Sequence, residues 1–297
     1  MTTESTTWTI AAVLKWATDD FRARGIENPR LDAEVLLSRA LGVSRTQLVI
    51  DLLRPLEPDE LARFREMVKR RRAREPVAYI LGEREFYGRT FRVDARVLIP
   101  RPDTETLVDV ALARTRAVSM CARVLDLCTG SGCVAITLAR ERPTTKVLGT
   151  DASDGAIAVA RDNAARLGAY NASFMVADLF EGIEGRFDLI TANPPYIPAA
   201  EVPGLSPDIV KFEPELALVG GDDGLALARK IVEQAPAHLA EGGVLAMEVG
   251  AGQAESVAEL FQGAGFTGIE RTRDYARIER VVSGVAPPAD VLGSRAG

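Results

Sequence analysis

Apolar residues in the first quarter of the chain recur at three- and four-residue intervals, the spacing of amphipathic helices. The pattern predicts a helical domain over residues 1–75, in which Gly25 and Gly42 end the first two helices. Ser44 and Gln47 are spaced as a capping box for a third helix, and Pro58 is suited to open a fourth. The apolar positions of the first two helices are Ile10, Val13, Leu14, Ala17 and Phe21, then Leu31, Val35, Leu36, Ala40 and Leu41.

The pattern changes at Pro76, which cannot continue a helix. Aromatic and aliphatic residues then alternate with turn residues on either side of Gly88-Arg89. This alternation predicts a β-hairpin linker over residues 76–100.

From residue 101 to residue 284, short apolar runs alternate with amphipathic helical segments. This alternation predicts a doubly wound, mainly parallel α/β sheet of seven strands. Asp103 or Thr104 is expected to cap a helix ahead of the first strand, and the tail 285–297 is expected to be disordered. The predicted strands are Arg123–Leu127, Lys146–Thr150, Ser173–Val176, Phe187–Thr191, Gly243–Val249, Thr267–Arg271 and Arg277–Val282.

The composition is that of a globular protein, with 47% hydrophobic and 26% charged residues among 297. No apolar run is long enough for a membrane span, and the N-terminal residues lack the pattern of a signal peptide, so a cytoplasmic protein without membrane contact is expected. The three cysteines lack metal-ligand spacing and are expected to be reduced thiols.

The single histidine, His238, is expected on the solvated face of a helix, and the lack of others excludes a His-based triad or a multi-His metal site. We therefore expect no metal. The net charge of −6 disfavours nucleic acid as a substrate. The basic run Lys69–Arg74 is either a helix end that complements the helix dipole or a docking patch for an acidic or RNA-bound partner.

The stretch Asn193-Pro194-Pro195-Tyr196 directly follows an apolar run that reads as a buried strand. Two prolines end the strand and stiffen the loop, at the sheet edge where α/β proteins bind ligands. The Asn193 amide and the Pro194 carbonyl offer two acceptors, and Tyr196 offers a flat wall, which together suit a planar NH2 group. The alternative is a proline-stiffened turn with no chemical role.

Three acids stand at the ends of three successive predicted strands. Asp151 is placed to bind a ribose diol, Asp178 to accept from an adenine amine, and Asp126 to face a cation rather than a pyrophosphate. Between the first two acids lies a glycine-rich turn, Cys128–Gly132, which allows close approach of a ligand to the backbone. Leu179 and Phe180 are expected to flank the adenine ring.

Four segments make the chain resemble the release-factor glutamine methyltransferase family over nearly its whole length. The resemblance implies a class I methyltransferase that uses S-adenosylmethionine, releases S-adenosylhomocysteine, and methylates the glutamine of the GGQ motif in bacterial class 1 peptide chain release factors. It also implies that the helical domain recognises the substrate. The segments are Glu75–Gly82, Leu98–Glu105, Asn193–Ile197 and Glu213–Leu218.

The resemblance also assigns residues to roles. Asn193, Pro194, Pro195 and Tyr196 would hold the glutamine and carry the reaction. The cofactor-binding residues would be Asp126, Cys128, Thr129, Gly130, Ser131, Gly132, Asp151, Asp178, Leu179 and Asn193. Family members commonly have glycine where this chain has Cys128, and some have an aromatic residue where it has Leu179.

Several other functions share parts of this pattern. A ribosomal-protein glutamine methyltransferase and an adenine-N6 nucleic-acid methyltransferase also use the NPPY motif. A nicotinamide oxidoreductase is disfavoured by Asp126, whose carboxylate would face a pyrophosphate. A cofactor-sensing scaffold would bind S-adenosylmethionine without turnover.

Overall fold

The computed structural model describes residues 8–115 and 121–287 of the chain. The chain divides into two compact units, a helical unit of Met1–Gly82 with Ser206–Phe212, and a sheet unit of Glu83–Leu205 with Glu213–Gly297. Of the tail predicted to be disordered, residues 288–297 lie outside the described residues. Val285 ends a strand of the sheet unit.

The helical unit is built around fully buried side chains that include Phe21, Leu36, Leu37 and Phe64. Gly42 ends the second helix in the left-handed conformation, with φ +69°, as the sequence predicted. The Ser44 hydroxyl accepts the Gln47 N–H at the start of the third helix. The helices are α1 (Ile10–Ala23), α2 (Pro29–Leu41), α3 (Arg45–Ile50), α4 (Pro58–Arg72), α5 (Val77–Leu81) and α9 (Pro207–Phe212).

Two local predictions for this unit need correction. The Gln47 side chain donates to Asp51 at 2.7 Å, while a reciprocal capping box forms instead between Glu57 and Glu60. Helix α5 occupies residues that were predicted to belong to the hairpin linker. Its sequence, VAYIL, is apolar enough to read as a strand, but Pro76 and Gly82 bound it as a single helical turn.

The arginines of the basic run are engaged inside the helical unit. Arg70 pairs with Glu75, and Arg72 with Asp20. Arg71 is buried and contacts both Asp32 and Asp208 at 2.7 Å. These ion pairs leave little free charge for the docking patch that the sequence suggested as one interpretation.

In the sheet unit, a hairpin precedes the main sheet. Its strands are β1 (Glu83–Phe86) and β2 (Arg89–Arg92), and its turn places Tyr87 and Gly88 at φ +51° and +69°. The hairpin is thus shorter than the predicted 76–100. A 3-10 turn, Pro102–Thr104, then leads into helix α6 (Glu105–Arg114). Thr104 makes no capping hydrogen bond there, contrary to the prediction, because its hydroxyl is engaged elsewhere.

The seven predicted strands form one sheet in the order β5-β4-β3-β6-β7-β9-β8. The first five strands in that order are parallel, and β9 runs antiparallel to β7 and β8. The strands are β3 (Arg123–Leu127), β4 (Lys146–Asp151), β5 (Ala172–Val176), β6 (Phe187–Ala192), β7 (Leu239–Glu248), β8 (Thr267–Arg273) and β9 (Glu279–Val285). The connecting helices are α7 (Cys133–Glu141), α8 (Asp154–Leu167), α10 (Ala226–His238) and α11 (Ala254–Gly263).

The sheet carries an apolar core on each face. The chain runs outward from β3 to β5 and returns to β6 beside β3, so its direction of winding switches between these two strands. The carboxyl edge at such a switch is where open α/β sheets bind ligands. None of the helices in the described ranges has both the length and the apolar composition that a membrane span requires.

Candidate active site

A cavity opens at the carboxyl ends of β3, β4 and β6, on the side of the sheet where the strand order switches. It brings together most of the residues that the sequence predicted for the site. Those that line it are Asp126, Cys128, Thr129, Gly130, Ser131, Asp151, Asp178, Leu179, Asn193 and Pro195. Gly132, Pro194 and Tyr196, which the sequence also predicted for the site, are not among the residues that line it.

The turn between β3 and α7 needs left-handed backbone at three positions. Cys128, Gly130 and Gly132 have φ of +55°, +53° and +79°. At Gly132 a Cβ atom would lie 2.8 Å from the Ile136 Cδ1 and 3.2 Å from the Ala160 Cβ, so glycine is required there by space as well as by φ. Cys128 keeps the backbone that a glycine would adopt, at the cost of some strain.

Asp126 is a fully buried carboxylate at the inner end of the cavity. Its two oxygens accept hydrogen bonds from the hydroxyls of Thr129, at 2.6 Å, and Thr191, at 2.7 Å. Burial raises the pKa of Asp126 to about 6, although the hydroxyls oppose the rise. A cation beside this carboxylate would compensate for its desolvation.

Asp151, at the end of β4, joins the glycine-rich turn to the start of α8. Its carboxylate accepts the backbone N–H of Gly130 and that of Ser153, each at 2.9 Å. Burial raises the pKa of Asp151 as well. A carboxylate has about four lone-pair sites, so two remain for a ligand hydroxyl.

The residues of the segment after β5 divide between the cavity and the core. Asp178 and Leu179 line the cavity, and Leu179 has φ +50°. Phe180 instead lies in the core, where it stacks on His238 with ring centroids 4.6 Å apart. The prediction that Phe180 flanks an adenine ring is therefore wrong, and His238 is half-buried rather than freely solvated.

The NPPY loop is held by hydrogen bonds to its backbone and by glycines that make room for it. The Tyr196 carbonyl accepts from the Gln253 side chain at 2.9 Å, and Ile197 donates to the Leu218 carbonyl at 3.0 Å. At Gly220 a Cβ would come within 2.6 Å of the Pro195 oxygen, and at Gly224 within 2.3 Å of the Tyr196 oxygen. Burial raises the pKa of the Tyr196 phenol to about 12.

Asn193 presents its side chain to the cavity from the start of this loop. Its Nδ2 donates to the Thr104 Oγ1 at 3.3 Å. Thr104 is hydrogen-bonded in turn to Glu248, a buried acid at the end of β7 whose pKa burial raises to about 7. Sequence reasoning missed both residues, although an acid at the carboxyl end of a strand is the same signal that identified Asp126 and Asp151.

An ion pair joins two of the four segments that carry the resemblance to the methyltransferase family. Arg101, in the segment Leu98–Glu105, contacts Glu213, in the segment Glu213–Leu218, at 2.6 Å. Glu213 also accepts the Ile99 N–H at 3.3 Å. The pairing fixes the wall of the cavity that contains Pro100 and Pro214.

Two family models match parts of the chain, and known relatives match nearly all of it. Residues 12–82 match the PrmC N-terminal domain and residues 104–210 the methyltransferase small domain. The chain is 46% identical over 285 residues to a release factor glutamine methyltransferase of Geobacter sulfurreducens, covering 96% of this chain and 99% of that protein. It is 43% identical to one of Cereibacter sphaeroides, covering 94% and 99%.

A solved structure supports the fold independently. The crystal structure of a methyltransferase from Pyrococcus furiosus superposes with a TM-score of 0.52 at 17% identity, over 74% of this chain and 100% of that one. At this identity the likeness supports the class I methyltransferase fold alone.

Proposed function

This chain belongs to the family of release factor glutamine methyltransferases, and we propose that it methylates the side-chain amide nitrogen (N5) of the glutamine in the GGQ motif of class 1 peptide chain release factors. The observation that carries the proposal is that Asn193 lines the same cavity as Asp126 and Asp151, which lie at the ends of adjacent strands. The reaction would take place in the cytoplasm, where release factors act.

The cavity residues fit S-adenosylmethionine by their donor and acceptor chemistry. Asp126 would face the ammonium of the methionine part, Asp151 the ribose hydroxyls and Asp178 the adenine amine. Gly130 lines the cavity, and the absence of a Cβ there would let the backbone of the turn approach the ligand closely. When bound, the cofactor supplies an electrophilic methyl group on a sulfonium. Cys128, Thr129, Ser131 and Leu179 would complete the binding wall.

The NPPY loop would orient the acceptor amide. The Asn193 Oδ1 and the Pro194 carbonyl would each accept one amide hydrogen, with Pro195 and Tyr196 fixing the loop that holds them. Among the described residues, no histidine lines the cavity to act as a base. The rate enhancement would therefore come from positioning and from stabilising the positive charge that develops on nitrogen, which loses its proton to solvent afterwards.

The other functions that share the NPPY motif lack a specific observation in their favour. The relatives from Geobacter sulfurreducens and Cereibacter sphaeroides, which match over nearly their whole length, are release factor glutamine methyltransferases. Neither a ribosomal-protein substrate nor an adenine substrate is needed to explain any feature of the site.

Mass spectrometry of a purified release factor, incubated with the protein and S-adenosylmethionine, tests the proposal. We expect a gain of one methyl group, about 14 Da, that a GGA variant of the release factor does not show. Asn193→Ala should abolish the gain and leave cofactor affinity within about threefold, because Asn193 acts on the acceptor. A methylated GGA variant, or full turnover by Asn193→Ala, would contradict the assignment.

A further inference from the structure

A short chain of hydrogen bonds runs from the cavity into the protein interior. It begins at the Asn193 side chain, passes through the Thr104 hydroxyl and ends at the Glu248 carboxylate. Thr104 and Glu248 are each 2% exposed, so water does not compete for these bonds. Asn193 directly follows β6, Thr104 lies in the turn before α6, and Glu248 ends β7, so all three belong to the sheet unit.

The number of hydrogens on each group decides which group donates and which accepts in this series of hydrogen bonds. A hydroxyl has one hydrogen to donate, and an ionised carboxylate can only accept. Thr104 therefore gives its hydrogen to Glu248, and toward Asn193 its oxygen can only accept. This requirement turns the Asn193 Nδ2 toward Thr104 and leaves Oδ1 for the cavity.

We infer that Thr104 and Glu248 are positioning residues that fix the orientation of the Asn193 amide, so that its oxygen faces the acceptor nitrogen. The inference rests on the proposed function for its catalytic consequence. An Asn193 turned the other way would present Nδ2 to the acceptor, and two NH2 groups cannot hydrogen-bond productively with each other.

The surroundings of Glu248 make its ionisation sensitive to pH. Arg280 and Arg101 face it, but each is already paired, Arg280 with Asp103 and Asp274 and Arg101 with Glu213. Asp103, Tyr196 and Cys133 are the other titratable groups near it. Within the described part of the chain, Glu248 Oε2 is a buried atom without a hydrogen-bond partner.

Protonation would remove the constraint. A protonated Glu248 can donate to Thr104, which frees the Thr104 hydrogen for the Asn193 Oδ1 and allows the amide to turn over. The catalytic orientation should therefore require ionised Glu248.

Asparagine-selective 15N NMR tests this independently of turnover, since the chain contains four asparagines. The Asn193 side-chain signals, identified by their loss in Asn193→Ser, should titrate with a midpoint near pH 7 in the wild type. They should not titrate over this range in Glu248→Gln, because an amide neither gains nor loses a proton near pH 7. Identical titration in both proteins would overturn the inference even if no release factor is methylated.

Kinetics with an unmethylated release factor as the methyl acceptor supply the second readout. Thr104→Val should lower kcat by about tenfold to a hundredfold with cofactor Kd within about twofold, and Thr104→Ser should recover most of the loss. Wild-type kcat should fall below pH 7, whereas Glu248→Gln should lack that limb. Equal rates for Thr104→Val and wild type, or equal losses in the Ser and Val variants, would overturn the positioning role.

Discussion

Asp126 shows how a single residue can couple ligand binding to pH. Its carboxylate is buried and hydrogen-bonded to two threonines, and burial raises its pKa to about 6. A nearby cation favours the ionised form and lowers the pKa of the carboxyl when it binds. Binding of a cationic ligand must therefore displace a proton whenever the pH is below that value.

We expect cofactor affinity to fall as the pH falls below about 6, approaching a tenfold rise in Kd for each further pH unit. Asp126→Asn should bind weakly at every pH and lose this dependence, because an amide carries no charge. Calorimetry with S-adenosylhomocysteine between pH 5 and pH 8 measures both proteins. The same slope in Asp126→Asn would assign the dependence to another group, with buried Asp151 as the first candidate.

At the scale of elements, the NPPY loop depends on glycines that lie elsewhere in the chain. Gly224 has φ +76°, and a Cβ there would meet the Tyr196 oxygen at 2.3 Å. An alanine cannot fit unless the loop moves, and a displacement of about 1 Å in a catalytic loop can cost a hundredfold in rate.

We therefore expect Gly224→Ala to lower kcat by about a hundredfold while cofactor affinity, which depends on other strand ends, changes little. Gly182→Ala is the matched control, because Gly182 has φ +70° but open space around its Cβ position. The Gly182→Ala variant should have a similar backbone strain but should not displace the loop. Its kcat should therefore match that of the wild type. Equal losses in the two variants would show that backbone strain, rather than loop displacement, is the cause.

The elements that could be predicted from the sequence are those with strong local signals. Arg123–Leu127 was placed with its observed bounds, because a short run rich in apolar residues ends there at the glycine-rich turn. Strand β7 begins at Leu239 rather than Gly243, since Glu241 and Gly242 have no strand-like pattern of their own. Helix α5 was missed because five apolar residues do not distinguish a helical turn from a strand.

In the site, too, the residues that follow a local sequence pattern could be predicted, and the contacts between distant parts of the sequence could not. Asp126, Asp151 and Asn193 could be predicted because each follows a recognisable strand. The hydrogen bond from Asn193 to Thr104 joins residues that are 89 positions apart in the sequence. No local sequence pattern around either residue predicts this contact. Phe180 was misplaced because adjacent residues at a turn face opposite directions, and only the fold shows that Leu179 is the one facing the cavity.

At the scale of the whole molecule, the ionisable groups divide into two sets with opposite effects on stability. Partners such as Arg96 for Asp94 and Arg229 for Asp223 hold the pKa of several carboxyls below the ordinary range. These groups stabilise the folded state above about pH 4, and their contribution is lost as the pH falls through their folded pKa values. The set comprises Asp19, Asp20, Glu34, Glu60, Asp94, Asp223 and Asp274.

The buried acids of the site make the folded state less stable as the pH rises, which is opposite to the effect of the paired carboxyls. The folded state binds a proton on Glu248 up to about pH 7, whereas the unfolded chain releases it near pH 4.5. Stability therefore falls as the pH rises between these values, and Asp126 adds a similar decline up to about pH 6. His238, whose pKa burial lowers, opposes the decline up to pH 6.5.

We expect the free energy of unfolding of the ligand-free protein to be largest between about pH 5 and pH 6, and to fall toward pH 8. Glu248→Gln should flatten the decline. Ionising a group whose pKa is raised from 4.5 to about 7 costs up to about 3 kcal/mol at pH 8.

Urea denaturation of wild type and Glu248→Gln at pH 5 and pH 8 measures the difference directly, and His238 cancels because both proteins contain it. The variant should gain stability relative to the wild type as the pH rises. A constant difference between the two proteins would mean that Glu248 is ionised in the folded state throughout this range. The carboxylate would then hold the Asn193 amide at every pH, and the acid limb of kcat would have to come from Asp126.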